Sequence, residues 1–131
     1  MAGIRYLTAK EVISINIYLI NRYSKDETAG VKDASLLDSA INRPKQSAFC
    51  EDAYPSIFEK AAALFQSLAL NHAFHSANKR TAFTSMVQFL KYNGLRFLMD
   101  PKEAEDFVVD TVLHKYDFDA IVHMIREHTT D

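Results

Sequence analysis

Apolar residues recur along most of this chain at three- and four-residue spacing, the periodicity of helices that bury one face. Val12, Ile13, Ile15, Leu19 and Ile20 form the first such stripe, and Thr8 with Glu11 makes a capping box ahead of it, which predicts a helix over about 9–23. A charged stretch from Lys25 to Gly30 follows. Asp33 is placed to cap a short helix carrying Leu36, Leu37, Ala40 and Ile41. Pro44 ends that helix within a residue or two, because the residue before a proline avoids the helical region. Residues 43–54 then read as irregular or hairpin-like. Ile57, Ala61, Leu64, Phe65 and Leu68 mark a third buried face that leads into His72. Pro55 suits a first helical position while Ser56 with Glu59 offers a competing capping box, so this start is open by about two residues.

Past residue 81, Ala82, Phe83, Met86, Val87, Phe89 and Leu90 cover too much of a helical wheel for a surface helix and predict a central one, with Gly94 after Asn93 as its natural end. Asp100, Pro101 and Glu103 begin another helix, continued by Ala104, Phe107, Val108 and Leu113. Asp117 can cap a last one through Ile121, Val122 and Ile125. Three Gly and three Pro leave little of the punctuation that many-stranded folds need. The expected architecture is all-α, a compact bundle of about six helices forming one domain over residues 1–131, with its active loop between the third and fourth. Nine Phe and six Tyr among 48% apolar residues supply a continuous core for it.

Charge and cysteine content narrow the function classes. Fifteen basic against seventeen acidic residues give no broad positive field, and no basic helix face is present, so direct DNA binding is not expected. Cys50 is the sole cysteine, which rules out an internal disulfide and fits a reducing cytoplasm. Val12 to Ile20 is broken by Ser14 and Asn16, and no apolar run approaches the ~20 residues that span a bilayer, so neither a membrane anchor nor a signal peptide is expected. The phosphate loop GxxxxGK[ST] and the glycine-rich loop, HRD and DFG elements of protein kinases are absent.

The chemistry concentrates in His72 to Thr81, HAFHSANKRT. Asn78, Lys79 and Arg80 are expected to open the fourth helix, where free backbone N–H groups and the positive dipole end favour an anion. A Lys-Arg pair in a first turn opposes the dipole by ~0.3 kcal/mol or more each, so an anionic ligand explains it better than an ordinary solvated helix start. Arg80 can grip two oxygens with its planar fork, Lys79 can neutralise phosphate as a mobile charge, and Asn78 can orient either the phosphates or the loop. His72 suits a general base, the bland alternative being a cap on the preceding helix's carbonyls. Phe74 is expected to pack under the loop. His75, three residues from His72, forms a metal pair without a third ligand, and His114, His123 and His128 are expected on partly exposed helical faces.

The string His72-x-Phe74-x-Ser76-Ala77-Asn78-Lys79-Arg80 resembles the signature of the Doc (death-on-curing) toxins, a branch of the Fic superfamily. The likeness extends to the opening LTAKEVISINIYLINRYS, to INRPKQSAFCEDAYPSIFEKAAALFQSLALNHAF and to the helix after the motif, about three quarters of the chain. It implies an all-helical Fido domain and a toxin paired with a small antitoxin. It also implies transfer of a phosphoryl group from ATP to a threonine of elongation factor Tu, which halts translation. On this resemblance His72 is the catalytic base and Asn78, Lys79 and Arg80 hold the nucleotide's phosphates.

Departures from the wider Fic pattern, His-x-Phe-x-Asp/Glu-Gly-Asn-Gly-Arg-x-x-Arg, sharpen the expectation. Lys79 replaces the second glycine and Phe83 the final arginine. In the family this goes with ATP bound in the opposite sense, terminal phosphate toward the histidine, which favours a kinase over a nucleotidyl transferase. Ser76 stands where the family usually has Asp or Asn, the carboxylate form helping to hold magnesium. A serine hydroxyl is a poorer ligand that acts through a bound water, so activity is expected to be reduced or relocated. Lys45 to Asp52 matches the family's target-aligning flap, a plain surface loop being the alternative. Ser47 and Glu51 echo the inhibitory Ser/Thr-x-x-x-Glu motif of other Fic proteins, but Asp52 replaces its Gly or Asn and the echo is read as chance. The competing functions are a Fic-type nucleotidyl (AMP) transferase and a metal-impaired member that only binds nucleotide or a partner.

Overall fold

The computed structural model describes residues 3–131. Helix α1 (Ala9–Tyr23) opens on the foreseen capping box: the Thr8 hydroxyl accepts the Glu11 N–H at 3.2 Å and the Glu11 carboxylate accepts the Thr8 N–H at 2.9 Å. Helix α2 (Ala34–Asn42) starts on the Asp33 carboxylate, which accepts the Leu36 N–H at 3.0 Å, and gives way to a single 3-10 turn, Arg43–Lys45, around buried Pro44. Of the two starts open for α3, Ser56 is the one used: its hydroxyl accepts the Glu59 N–H, and α3 runs Ile57–Asn71 with Pro55 outside it. Helices α4 (Asn78–Tyr92), α5 (Pro101–Val112) and α6 (Phe118–Glu127) complete the bundle, α5 and α6 beginning on Asp100 and Asp117 as expected.

Helix α3 is the axis of the core. Ala61 to Phe65, Leu68 and Ala69 are all buried, and the helix packs against α2, α4, α5 and α6. Small Ala61, Ala62 and Ala63 let its neighbours approach, and the Phe65 and Phe107 rings stack at 5.0 Å between α3 and α5. Each large apolar side chain so enclosed contributes roughly 1.5–3 kcal/mol. Helix α4 lies against α3 on one side and against α1 and α5 on others, burying Ala82, Met86, Phe89 and Leu90 and leaving Phe83 and Val87 partly covered. Ser85 is buried there too, and its hydroxyl finds no hydrogen-bond partner.

Of two short antiparallel pairs, the first falls in the stretch read as irregular or hairpin-like and the second was not foreseen. The irregular stretch after α2 is a hairpin, β1 (Ser47–Ala48) against β2 (Glu51–Asp52). At its turn Phe49 and Cys50 both have positive φ, and Phe49 is 100% exposed. Lys60, 2% exposed on α3, fastens the base, its ammonium donating to the Asp52 carboxylate at 3.2 Å and to the Tyr54 carbonyl at 2.6 Å. The second pair joins β3 (Arg96–Phe97) to β4 (Thr129–Thr130). His123 and His114 are exposed, whereas His128 caps α6 and is half-buried between the Met124 carbonyl and the Glu103 carboxylate. Among the described residues no helix is long and apolar enough to cross a membrane.

Candidate active site

Six residues, 72–77, join α3 to α4, and both ends of the connection are left-handed. His72 ends α3 at φ 54°, ψ 47°, and Ala77 precedes α4 at φ 61°, ψ 31°. A residue with a Cβ costs roughly 1–2 kcal/mol in that region, so two such positions persist only where neighbours over-determine them.

The neighbours come from three directions. Asn78 reaches back across the loop: its Oδ1 accepts the Phe74 N–H and its Nδ2 donates to the Phe74 carbonyl, both at 3.0 Å. The α1–α2 connection lies alongside, with Lys32 and Asp33 N–H groups donating to the Ala73 carbonyl at 2.8 and 3.0 Å and the His75 N–H donating to the Gly30 carbonyl at 3.2 Å. Gly30 sits at φ +103°, a conformation that side-chain-bearing residues rarely adopt. From below, Asn16 of α1 binds the Ser76 carbonyl and the Thr81 hydroxyl. Phe74 is 1% exposed and packs into the core, as expected of it.

This scaffold presents the polar residues unequally. His72, His75 and Lys79 are exposed; Ser76, Asn78 and Arg80 are half-buried. Asn78, Lys79 and Arg80 form the first turn of α4, and its first closing bond runs from the Thr81 N–H to the Ala77 carbonyl at 2.9 Å. Ala77 has no side chain with which to cap the turn. The three N–H groups ahead of Thr81 therefore lie at the positive end of a 15-residue helix without intrahelical partners. Arg80 is held by Glu27 of the α1–α2 connection, Nη2 to carboxylate oxygen 3.0 Å, with both side chains about two-fifths exposed. Lys79 and Arg80 also border a cavity of about 510 Å³ whose remaining wall is largely apolar, including Leu19, Phe83 and Val108. His72 stands at the other end of the loop and does not line that cavity.

Metal-holding capacity is low. Position 76 offers a hydroxyl, and among the described residues no group of three or more His, Cys, Asp or Glu side chains is placed to hold an ion, so His72 and His75 remain a pair without a third ligand. The donor set does not fit a protein-held magnesium.

Three contributors escaped the reading of the sequence. Asn16 had a signal, a polar residue on the same face as Val12, Leu19 and Ile20; Gly30 had one as a lone glycine in the charged stretch; Glu27 had none.

A helical bundle that fixes a His-x-Phe loop ahead of an Asn-Lys-Arg helix start defines a class of proteins by its two central helices and the junction between them. A model of the Fic/DOC family matches residues 6–90, which include α1 to α3, the whole loop and most of α4, and the chain belongs to that family. It is 43% identical over 93 residues to a protein named Toxin Doc from Mycolicibacterium smegmatis, covering 70% of this chain and 72% of that one. It is 27% identical over 122 residues to the Protein kinase doc of Escherichia phage P1, covering 93% and 94%.

Proposed function

We propose that the protein is the toxin of a toxin–antitoxin pair and transfers the γ-phosphoryl group of ATP to a Ser or Thr hydroxyl of a translation factor, elongation factor Tu being the favoured target. Names of the two relatives support the toxin and kinase parts of this reading; a cognate antitoxin as partner and the cytoplasm as the place of action belong to the same proposal. One observation carries the chemistry: an uncapped helix start bearing Lys79 and Arg80, with an exposed His72 at the other end of the short loop that precedes it.

In this reading the phosphates take the free N–H groups of α4 and the Lys79 and Arg80 cations, displacing Glu27 from Arg80. A ring nitrogen of His72 accepts the proton of the incoming hydroxyl as its oxygen bonds to the γ-phosphorus, and the bond from that phosphorus to the bridging oxygen breaks, releasing ADP. Asn78 acts on the loop, since its amide is already engaged with Phe74. No step is assigned to magnesium, and Ser76 takes no part beyond its carbonyl.

Transfer from γ-labelled and α-labelled ATP, run in parallel on purified elongation factor Tu and on bacterial extract with His72→Ala as control, tests the reading. Label from the γ position alone, lost in the variant, is the expected result. Label from the α position would make the protein a nucleotidyl transferase. Silence from both would leave a metal-impaired nucleotide or partner binder.

A further inference from the structure

Asn16 is wholly enclosed in the middle of α1, on the face that also buries Val12, Leu19 and Ile20. An amide in such a place is costly unless its donors and acceptor are satisfied, and here each bond reaches a different segment. Its Nδ2 donates to the Ser76 carbonyl at 3.0 Å and to the Thr81 hydroxyl at 3.1 Å; its Oδ1 accepts the Gly30 N–H at 3.0 Å. Ser76 and Thr81 flank Ala77, the left-handed residue from which α4 opens, and the Thr81 N–H closes the first turn on the Ala77 carbonyl. Gly30 in turn holds the His75 N–H through its own carbonyl. One side chain thus ties the loop before Ala77, the helix after it and the connection beside it.

We propose that Asn16 is a positioning residue of the phosphate site: it sets the direction in which the free N–H groups of Asn78, Lys79 and Arg80 point. The inference rests on the reading of this helix start as the place where phosphate binds. Its chemical requirement is specific. Aspartate keeps an acceptor for Gly30 but turns an oxygen toward the Ser76 carbonyl, and leucine keeps the volume but satisfies none of the three partners.

The experiment compares Asn16→Asp, Asn16→Leu and Thr81→Val with Val12→Ala, a cavity variant on the same buried face whose apolar side chain makes no hydrogen bond to the loop. Readouts are the thermal midpoint, amide exchange at His75 and Thr81, affinity for a non-hydrolysable ATP analogue, and kcat against KM. Misplacement of about 1 Å costs up to ~100-fold in rate, so the Asn16 variants are expected to lose roughly tenfold or more in kcat and in analogue affinity. Their His75 and Thr81 amides are expected to exchange faster than global opening allows. Val12→Ala is expected to lower the midpoint while leaving affinity within about twofold and the loop's exchange at the global limit. Should Asn16→Leu not fold, Asn16→Asp and Thr81→Val carry the comparison. If the Asn16 variants track Val12→Ala in exchange and affinity, the amide is only packing and the proposal fails. If the wild-type chain transfers no phosphate, the proposed function fails while exchange and analogue binding still decide the role of Asn16.

Discussion

Replacing Asn78 with alanine separates two roles open to that residue. The hydrogen bonds on either side of Phe74, His75 N–H to Gly30 and Lys32 N–H to Ala73, serve its neighbours' peptide groups and leave its own N–H and carbonyl to the Asn78 amide. Phe74 is 1% exposed, so water does not readily replace what alanine removes. Two neutral hydrogen bonds contribute about 1 kcal/mol each net, and stranding two buried peptide groups raises the loss to roughly 4 kcal/mol, alanine's better helix propensity returning about 0.5. The expected loss is therefore about 1.5–3.5 kcal/mol. For a chain of this length each kcal/mol moves the midpoint by about 4 °C, so a fall of about 6–14 °C is expected in thermal unfolding followed by circular dichroism. Urea unfolding with an unchanged slope would confirm that the native state is what changed. Nucleotide affinity should fall with it, because the free N–H groups of α4 lose their support. A midpoint within about 2 °C of wild type, with affinity nonetheless lost, would refute the reasoning: Asn78 would then meet phosphate itself and not hold the loop.

Three further outcomes follow from single contacts. Glu27→Gln releases Arg80 from an exposed pair whose strength is at most about 1 kcal/mol, so ATP affinity should rise by up to about fivefold at low salt and less at high salt; an unchanged titration at both would show that Glu27 does not compete. Ser85→Ala removes a buried hydroxyl without a partner and should be neutral or stabilising by up to about 1 kcal/mol in urea unfolding, and a clear loss would mean that the hydroxyl is bonded after all. The Glu11 carboxyl lies below its ordinary value because it accepts the Thr8 backbone N–H and faces Arg5. Its stabilisation is complete above the unfolded carboxylate range and is lost as pH falls through the lowered folded value. The stability gap between wild type and Glu11→Gln should accordingly be open at neutral pH and close in acid, and a gap of constant size across that range would contradict the linkage.

What the sequence made legible is what lies close along it. Thr8 and Glu11, Asp33, Asp100 with Pro101, and Asp117 each cap a helix with a partner two or three residues away, and the apolar spacing of α3 and α4 announces both as central. The Asn-Lys-Arg helix start was legible for the same reason. The supports of the loop were not, because they cross large separations: Asn16 lies 60 residues from Ser76 and 65 from Thr81, and Glu27 lies 53 from Arg80. Periodicity cannot show which buried polar residue meets which distant carbonyl. Lys60 was hidden differently, since a lysine on a helix reads as solvent-facing until a hairpin base is found folded over it.

Cys50 at the hairpin tip gives the molecule a single chemical handle. It is the only thiol in the chain and it is exposed, so a maleimide dye will attach at one defined place, beside Phe49 at the turn of the hairpin. Its fluorescence would follow contact between the hairpin and a protein in solution, while the unlabelled loop reports nucleotide separately. The same thiol will couple two copies of the chain in oxidising buffer, and samples kept without reductant will contain a covalent dimer that owes nothing to the fold.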